Sequence, residues 1–283
     1  MRHNRTHKTI HQRTQMPEIL SFAFMQNAIL GAVLVSVACG IIGTLVMVNR
    51  LFSMAGGITH GAFGGIGLGF YLGLGGALMF VSTAGFALFL ALLLATLSKS
   101  YPHRSDNIIA VIWAFGMAFG IILVDKSADF GGDLMSYLFG NILAISVEDL
   151  WIMAVCDAIF VISIVALYRQ FEAFSFDSEF ARLKGVKTGI LHFVLVCEIA
   201  LCVVVAMRVV GLILVLALLS IPCFIAERFA HTLGGIMILS CVLSAIFCAC
   251  GLSISYVFDM SSGASIIIVA CVGFVLSLVK SRF

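Results

Sequence analysis

The sequence predicts an all-α polytopic membrane protein, a helical bundle of about eight to nine transmembrane helices with one short helix in a cytoplasmic loop. Three observations predict it. The 283 residues are 62% hydrophobic and only 11% charged, against about 25% charged in ordinary soluble domains. Apolar runs of about 18 residues or more, the length a helix needs to cross a bilayer, recur along nearly the whole chain. The alternating apolar and polar segments of about ten residues that a transmembrane barrel requires are absent from the sequence.

Residues 1–25 form a basic, polar tail without the apolar core and cleavage site of a secretory signal. His3, His7 and His11 follow one another there at intervals of four, and the basic charge suits a tail lying on anionic lipid. Residues 26–283 form the transmembrane domain. Its spanning segments fall at 26–48, 54–76, 78–98, 107–124, 149–168, 189–207, 209–227, 233–252 and 264–280, with a shorter apolar piece at 134–145 that fits a re-entrant or interfacial segment.

Lys99 and Arg104, then Arg169, Arg182, Lys184 and Lys187, and finally Lys280 and Arg282 place their loops on the cytoplasmic side. Nine spans would put the basic tail outside, against the same rule. The net charge of +2 gives no sign of nucleic-acid binding. The nine cysteines lie in apolar runs without a CxxC pair, and read as small packing residues rather than disulfides or a zinc finger.

Ionisable groups inside a bilayer are costly and ask for a reason. Four lie within the segments: His60, Asp157, His192 and Glu198. His192 falls near the cytoplasmic end of its helix and reads as interfacial. Asp157 and Glu198, near the middle of their spans, are placed to meet His60 across the bundle, and a histidine with carboxylates suits a divalent transition metal. Each carboxylate has an equal claim to a structural interhelical hydrogen bond.

Around His60, the stretch GGITHGAFGGIGLGFYLGLGG (56–76) holds ten glycines. Gly57, Gly61, Gly65, Gly69 and Gly73 recur every fourth residue, a stripe along which a neighbouring helix backbone can approach closely. Pro222 interrupts the span at 209–227 and predicts a broken helix there. Glu227 and His231 have metal-ligand spacing, but beside Arg228 at the cytoplasmic end they read as solvated or ion-paired surface.

The cytoplasmic loop at 176–188 reads as a short amphipathic helix. Asp177 caps it, Glu179 lies early, Arg182 and Lys184 lie late, and Gly185 ends it. Phe180, Ala181 and Leu183 add a small apolar patch, suited to docking another subunit or to lying on lipid. No GxxxxGK[ST] phosphate loop occurs in the chain, so ATP hydrolysis would fall to another polypeptide.

From about residue 25 to its end the chain resembles the permease subunits of bacterial zinc/manganese/iron ABC transporters. The resemblance rests on NRLFSMAGGITHGAFGGIGLG, YLFGNILAISVEDL, FDSEFARLKGV and RVVGLILVLALLSIPCFIA, in that order. It implies a multi-pass protein of the bacterial cell (inner) membrane that binds no permanent cofactor and is not itself an enzyme. The implied partners are a second permease copy in a homodimer, cytoplasmic ATPase subunits and an extracytoplasmic metal-binding protein. By the same resemblance Asp177, Glu179, Ala181 and Gly185 belong to the helix that couples to the ATPase. His60, at the histidine of the family's GDxxSH motif, would contact the ion, with Glu198 and Asp157 as further candidate ligands.

The chain departs from the motif at Gly56, where many members carry Asp. A histidine with few carboxylates leans toward zinc over manganese. A competing reading is a secondary transporter with Asp157 and Glu198 as proton or cation carriers, which would leave the capped loop helix unexplained. An intramembrane metalloenzyme would ask for a dense ligand motif such as HExxH, and none occurs.

Overall fold

The computed structural model describes residues 23–127, 140 and 142–280. The histidines of the tail, most of the 134–145 piece and Arg282 lie outside the described residues. Among these residues the chain is helical throughout, without strands: α1 (Ala23–Val48), α2 (Phe52–Gly61), α3 (Phe63–Tyr71), α4 (Gly76–Ser100), α5 (Ser105–Asp125), α6 (Val147–Phe176), α7 (Ser178–Leu183), α8 (Thr188–Glu227), α9 (Leu233–Phe258) and α10 (Ser262–Lys280).

Seven of these helices are long and apolar enough to cross a membrane. The centre of the bundle is α1 and α8: 67% and 78% of their most apolar windows are buried, against 28–39% for the others. Small residues make α1 a hub. Gly40 backs onto Cys241 of α9, and Gly43 lies against the Leu219 carbonyl of α8. The outer helices leave Val111, Trp151, Ile162 and Val165 exposed, as a lipid-facing surface requires.

The sequence places two spans, 189–207 and 209–227, where the structure has one helical run of 40 residues, α8. The contacts of that run resolve the difference. Val209 lies near Gly31, toward the start of α1, whereas Thr44, toward the end of α1, donates to the Cys223 thiol at 3.8 Å. The stretch 209–223 thus runs parallel to α1, whereas 189–208 runs the other way: Gly189 lies near Lys99 at the end of α4, and Arg208 reaches the Gly76 carbonyl at its start. Since α1 and α4 both begin beside the start of α6, where Asn27 donates to the Ile145 carbonyl and the Ala77 N–H to Glu148, α8 makes two passes of opposite direction. The reversal falls at Gly211, with φ 78° and ψ 165°, a conformation open essentially to glycine alone. It does not fall at Pro222, which sits buried in the returning half and is absent from the non-helical backbone positions of α8. With α2 and α3 together making one further pass, the described residues cross nine times.

At the outer end a polar clasp joins three elements. Arg208 of α8 pairs with Asp149 of α6 at 3.1 Å and reaches the Gly76 carbonyl at 3.4 Å. The adjacent Glu148 accepts from the backbone N–H of Ala77 at the start of α4, at 3.0 Å. Asp149 also closes a capping box with Ser146, which fixes the first turn of α6.

A candidate metal path at His60

A tight turn at Asn49–Leu51 delivers α2 into the bundle. Arg50 adopts φ 57° in this turn, and the Asn49 amide donates to the Ser175 hydroxyl at 2.9 Å, tying the turn to α6. The span expected at 54–76 is two short helices, α2 and α3, joined at Ala62.

Glycines set how closely this pass meets its neighbours. A Cβ on Gly57 would meet Ile109 of α5, and one on Gly61 would meet Leu90 of α4. At Gly65 the obstacles are Phe86 and the Thr83 backbone, and at Gly69 it is Met79. Gly73 departs from the predicted stripe. It lies beyond the end of α3 in a turn at φ 64°, with open space around it. The closest backbone crossings use glycines of the partner helix: Gly116 stands against Gly61, and Gly120 against Gly67. Their signal in the sequence is WAFGMAFG in α5, which repeats the spacing of four.

His60 sits half-buried at this seam. Its Nδ1 is 2.9 Å from the Gly56 carbonyl, and since a carbonyl only accepts, Nδ1 carries the proton. In the neutral ring Nε2 then holds the lone pair, and no described residue engages it. Histidines that bind metals commonly give one ring N–H to a carbonyl, which sets the ring's orientation and leaves the other nitrogen for the ion. Trp113 of α5 stacks on the ring at 4.0 Å and 24°, which fixes its plane. Gly56, though buried, has nothing within 4 Å of where a Cβ would stand, so space lies open one turn from His60.

His60, Asp157 and Glu198 are not gathered together into one three-residue cluster. No group of three or more His, Cys, Asp or Glu able to hold a metal occurs among the described residues. Asp157 is 6% exposed and lies within electrostatic reach of the Cys39 and Cys241 thiols, and Glu198, 5% exposed, lies beside Ser163 of α6. Both are packed into the centre by α6 and α8, while His60 is held on the α2–α5 side. Both Asp157 oxygens and Glu198 Oε2 are without hydrogen-bond partners. Glu227 and His231 are exposed, as a surface reading requires.

Below His60, on the side of the basic loops, a cavity of about 660 Å³ opens between the turn at Arg50, the ends of α4 and α6, and the starts of α5, α7 and α8. Met54 and Ile109 line it, and so does His192, which sequence position places near this boundary. Ile109 is one turn from Trp113, so the cavity reaches to within about 6 Å along α5 of the residue stacked on His60.

The loop helix forms as its sequence dictates. Asp177 accepts from the backbone N–H groups of Glu179 and Phe180 at 3.0 and 2.9 Å, and Gly185 follows at φ 85°. Phe180 and Leu183 are exposed on one face, whereas Ala181 is fully buried against the body. The outward apolar patch is therefore Phe180 and Leu183, and Ala181 anchors the helix from beneath. Its small side chain permits that close seat.

The ABC 3 transport family model matches residues 21–281. An uncharacterized membrane protein of Synechocystis sp. (strain PCC 6803) is 43% identical over 270 residues, covering 94% of each chain. The manganese transport system membrane protein MntC of Listeria monocytogenes is 31% identical, over 92% of this chain and 91% of that protein. The solved structure of PsaBC from Streptococcus pneumoniae in complex with Fab superimposes with a TM-score of 0.84 at 31% identity, over 94% of each chain. With its helical passes and no nucleotide-binding loop of its own, the chain belongs to the ABC 3 transport family, as a membrane permease subunit.

Proposed function

We propose that this permease carries a divalent transition-metal ion into the bacterial cell past His60, with manganese as the substrate. The observation that carries the reading is the His60 imidazole, fixed through Nδ1–H and by Trp113, with its Nε2 lone pair free and open space beside Gly56. Manganese is supported by the name of the Listeria relative. Zinc is the second reading, favoured because a nitrogen ligand stands here where the family's carboxylate is replaced by Gly56. One or two protein ligands hold an ion weakly enough to release it, as transport requires, whereas four would trap it.

The partners in this reading are a cytoplasmic ATPase, an extracytoplasmic metal-binding protein and a second permease copy. Phe180 and Leu183 of α7 would enter the ATPase, with Asp177, Glu179 and Gly185 holding the helix in shape. The test is uptake of Mn²⁺ and Zn²⁺, assayed separately in cells carrying the permease with its ATPase and binding protein. His60→Ala is expected to lower uptake of the carried ion about tenfold or more at normal membrane level, the cost of one contact worth about 1.4 kcal/mol or more in the transition state. Unchanged uptake would remove His60 from the path. Continued uptake with a hydrolysis-dead ATPase would favour the secondary transporter.

A further inference from the structure

The cavity beneath His60 is lined by cations from three separate elements. Arg50 comes from the turn before α2, Lys99 from the last turn of α4 and Arg182 from the last turn of α7, with His192 beside them. The only carboxylate in the lining is Asp106. Among the described residues the one ion pair is Arg208–Asp149, at the opposite end of the bundle, so none of the three cations is neutralised by a salt bridge. Cytoplasmic loops carry positive charge as a rule, but here three such charges converge on the one cavity through which a cation would leave.

We propose that Arg50, Lys99 and Arg182 form an electrostatic barrier that weakens the hold of the inward-open path on a divalent ion and keeps cytoplasmic metal from rebinding at His60. The inference rests on the reading of His60 as a metal contact. At about 1.5 Å per residue Arg50 stands about 15 Å from His60 along the pass, and Lys99 about as far from Leu90, the α4 residue opposite Gly61, so the charges act on the ion from between about one and two Debye lengths. Apolar walls focus the field in such a cleft. A divalent ion feels twice the repulsion of a monovalent one, so the barrier discriminates against the substrate more than against K⁺ or Na⁺. With screening at that distance, and with Asp106 offsetting one of the three, the charges reduce divalent occupancy about 2- to 5-fold. Delivery from outside is not opposed in the same way, because the ion then reaches His60 from the far end of the bundle.

The test uses the complete transporter in proteoliposomes, with ATP and graded Mn²⁺ in the lumen at the cytoplasmic face, and radioactive Mn²⁺ added outside. The quantity read is the luminal concentration that halves uptake. In Arg50→Gln/Lys99→Gln, which leaves α7 intact, this concentration is expected to fall about 2-fold or more, with the difference shrinking as salt is raised. The charge-preserving pair Arg50→Lys/Lys99→Arg should match the parent. Adding Arg182→Gln should extend the fall, with ATPase association checked by co-purification. Normal uptake with an unchanged half-inhibitory concentration in the Gln pair overturns the inference alone, as does an equal fall in the charge-preserving pair. A parent that takes up neither Mn²⁺ nor Zn²⁺ removes the transport reading, and this inference with it.

Discussion

At Gly56 the missing side chain leaves room rather than a clash, which makes it the most informative single position. Gly56→Ala should fold with an unchanged melting temperature, since nothing lies within 4 Å of the added Cβ, whereas Gly56→Asp puts a carboxylate into the same buried space and should lower it in the absence of metal. It should also shift preference toward Mn²⁺ by supplying an oxygen ligand near His60, read as competition between Mn²⁺ and Zn²⁺ for uptake. Gly67 is the opposite case. A Cβ there falls on the Gly120 backbone, which no rotamer change can relieve, so Gly67→Val should cost about 2 kcal/mol or more. Gly75→Ala, in open space with extended backbone, is the control, and thermal melting in detergent reads both. The glycine spacing on one helix was legible in the sequence. The partners Gly116 and Gly120 and the stacking of Trp113 on His60 were not, because they depend on which helix lies opposite, and spacing along one helix says nothing about its neighbour.

The helices as elements were the most legible part of the chain, because length and hydropathy decide them in a bilayer. Their breaks were less so. Pro222 attracts attention by its chemistry, yet helices that pack on all sides, as α8 does, keep a proline's freed carbonyl covered. The reversal at Gly211 needs positive φ, and one glycine among 27 carries no mark of that demand. Gly211→Ala should therefore lower the amount of folded protein in the membrane severely, while Pro222→Ala changes it little; both are read by quantitative blotting and thermal melting. In α7 local rules sufficed, since an Asp cap and a Gly stop act within a few residues. Asp177→Ala should weaken this helix by about 1 kcal/mol. The expected reading is reduced co-purification of the ATPase at unchanged permease level.

Across the whole molecule, the outer ends of α4, α6 and α8 are clasped by Arg208, Asp149 and Glu148 while the cytoplasmic end holds a cavity. On the proposed reading of His60, that asymmetry would leave the path closed outside and open toward the cell. Arg208→Ala should loosen the outer end, read as faster labelling of Ile145→Cys, a buried position at that end, by a membrane-impermeant thiol reagent. The effect on stability should be small, about 0.5 kcal/mol, because the pair is partly exposed (16% and 20%). Sequence position placed His60, Asp157 and Glu198 each near the middle of a pass, and depth alone was legible. Whether they meet depends on rotation about each helix axis, which position along one helix does not reveal; the fold buries both Asp157 and Glu198.

The stacking of Trp113 on His60 also gives the protein an optical reporter of its own cargo. The chain has two tryptophans, and the other, Trp151, is an exposed residue of α6 that Trp151→Phe removes from the signal. The remaining indole lies 4.0 Å from the imidazole that the proposed reading sets against the ion. A paramagnetic ion such as Mn²⁺ arriving there quenches its emission, whereas closed-shell Zn²⁺ binding at the same nitrogen does not quench by that route. The colour and lifetime of a single residue would then tell the two metals apart without a transport assay.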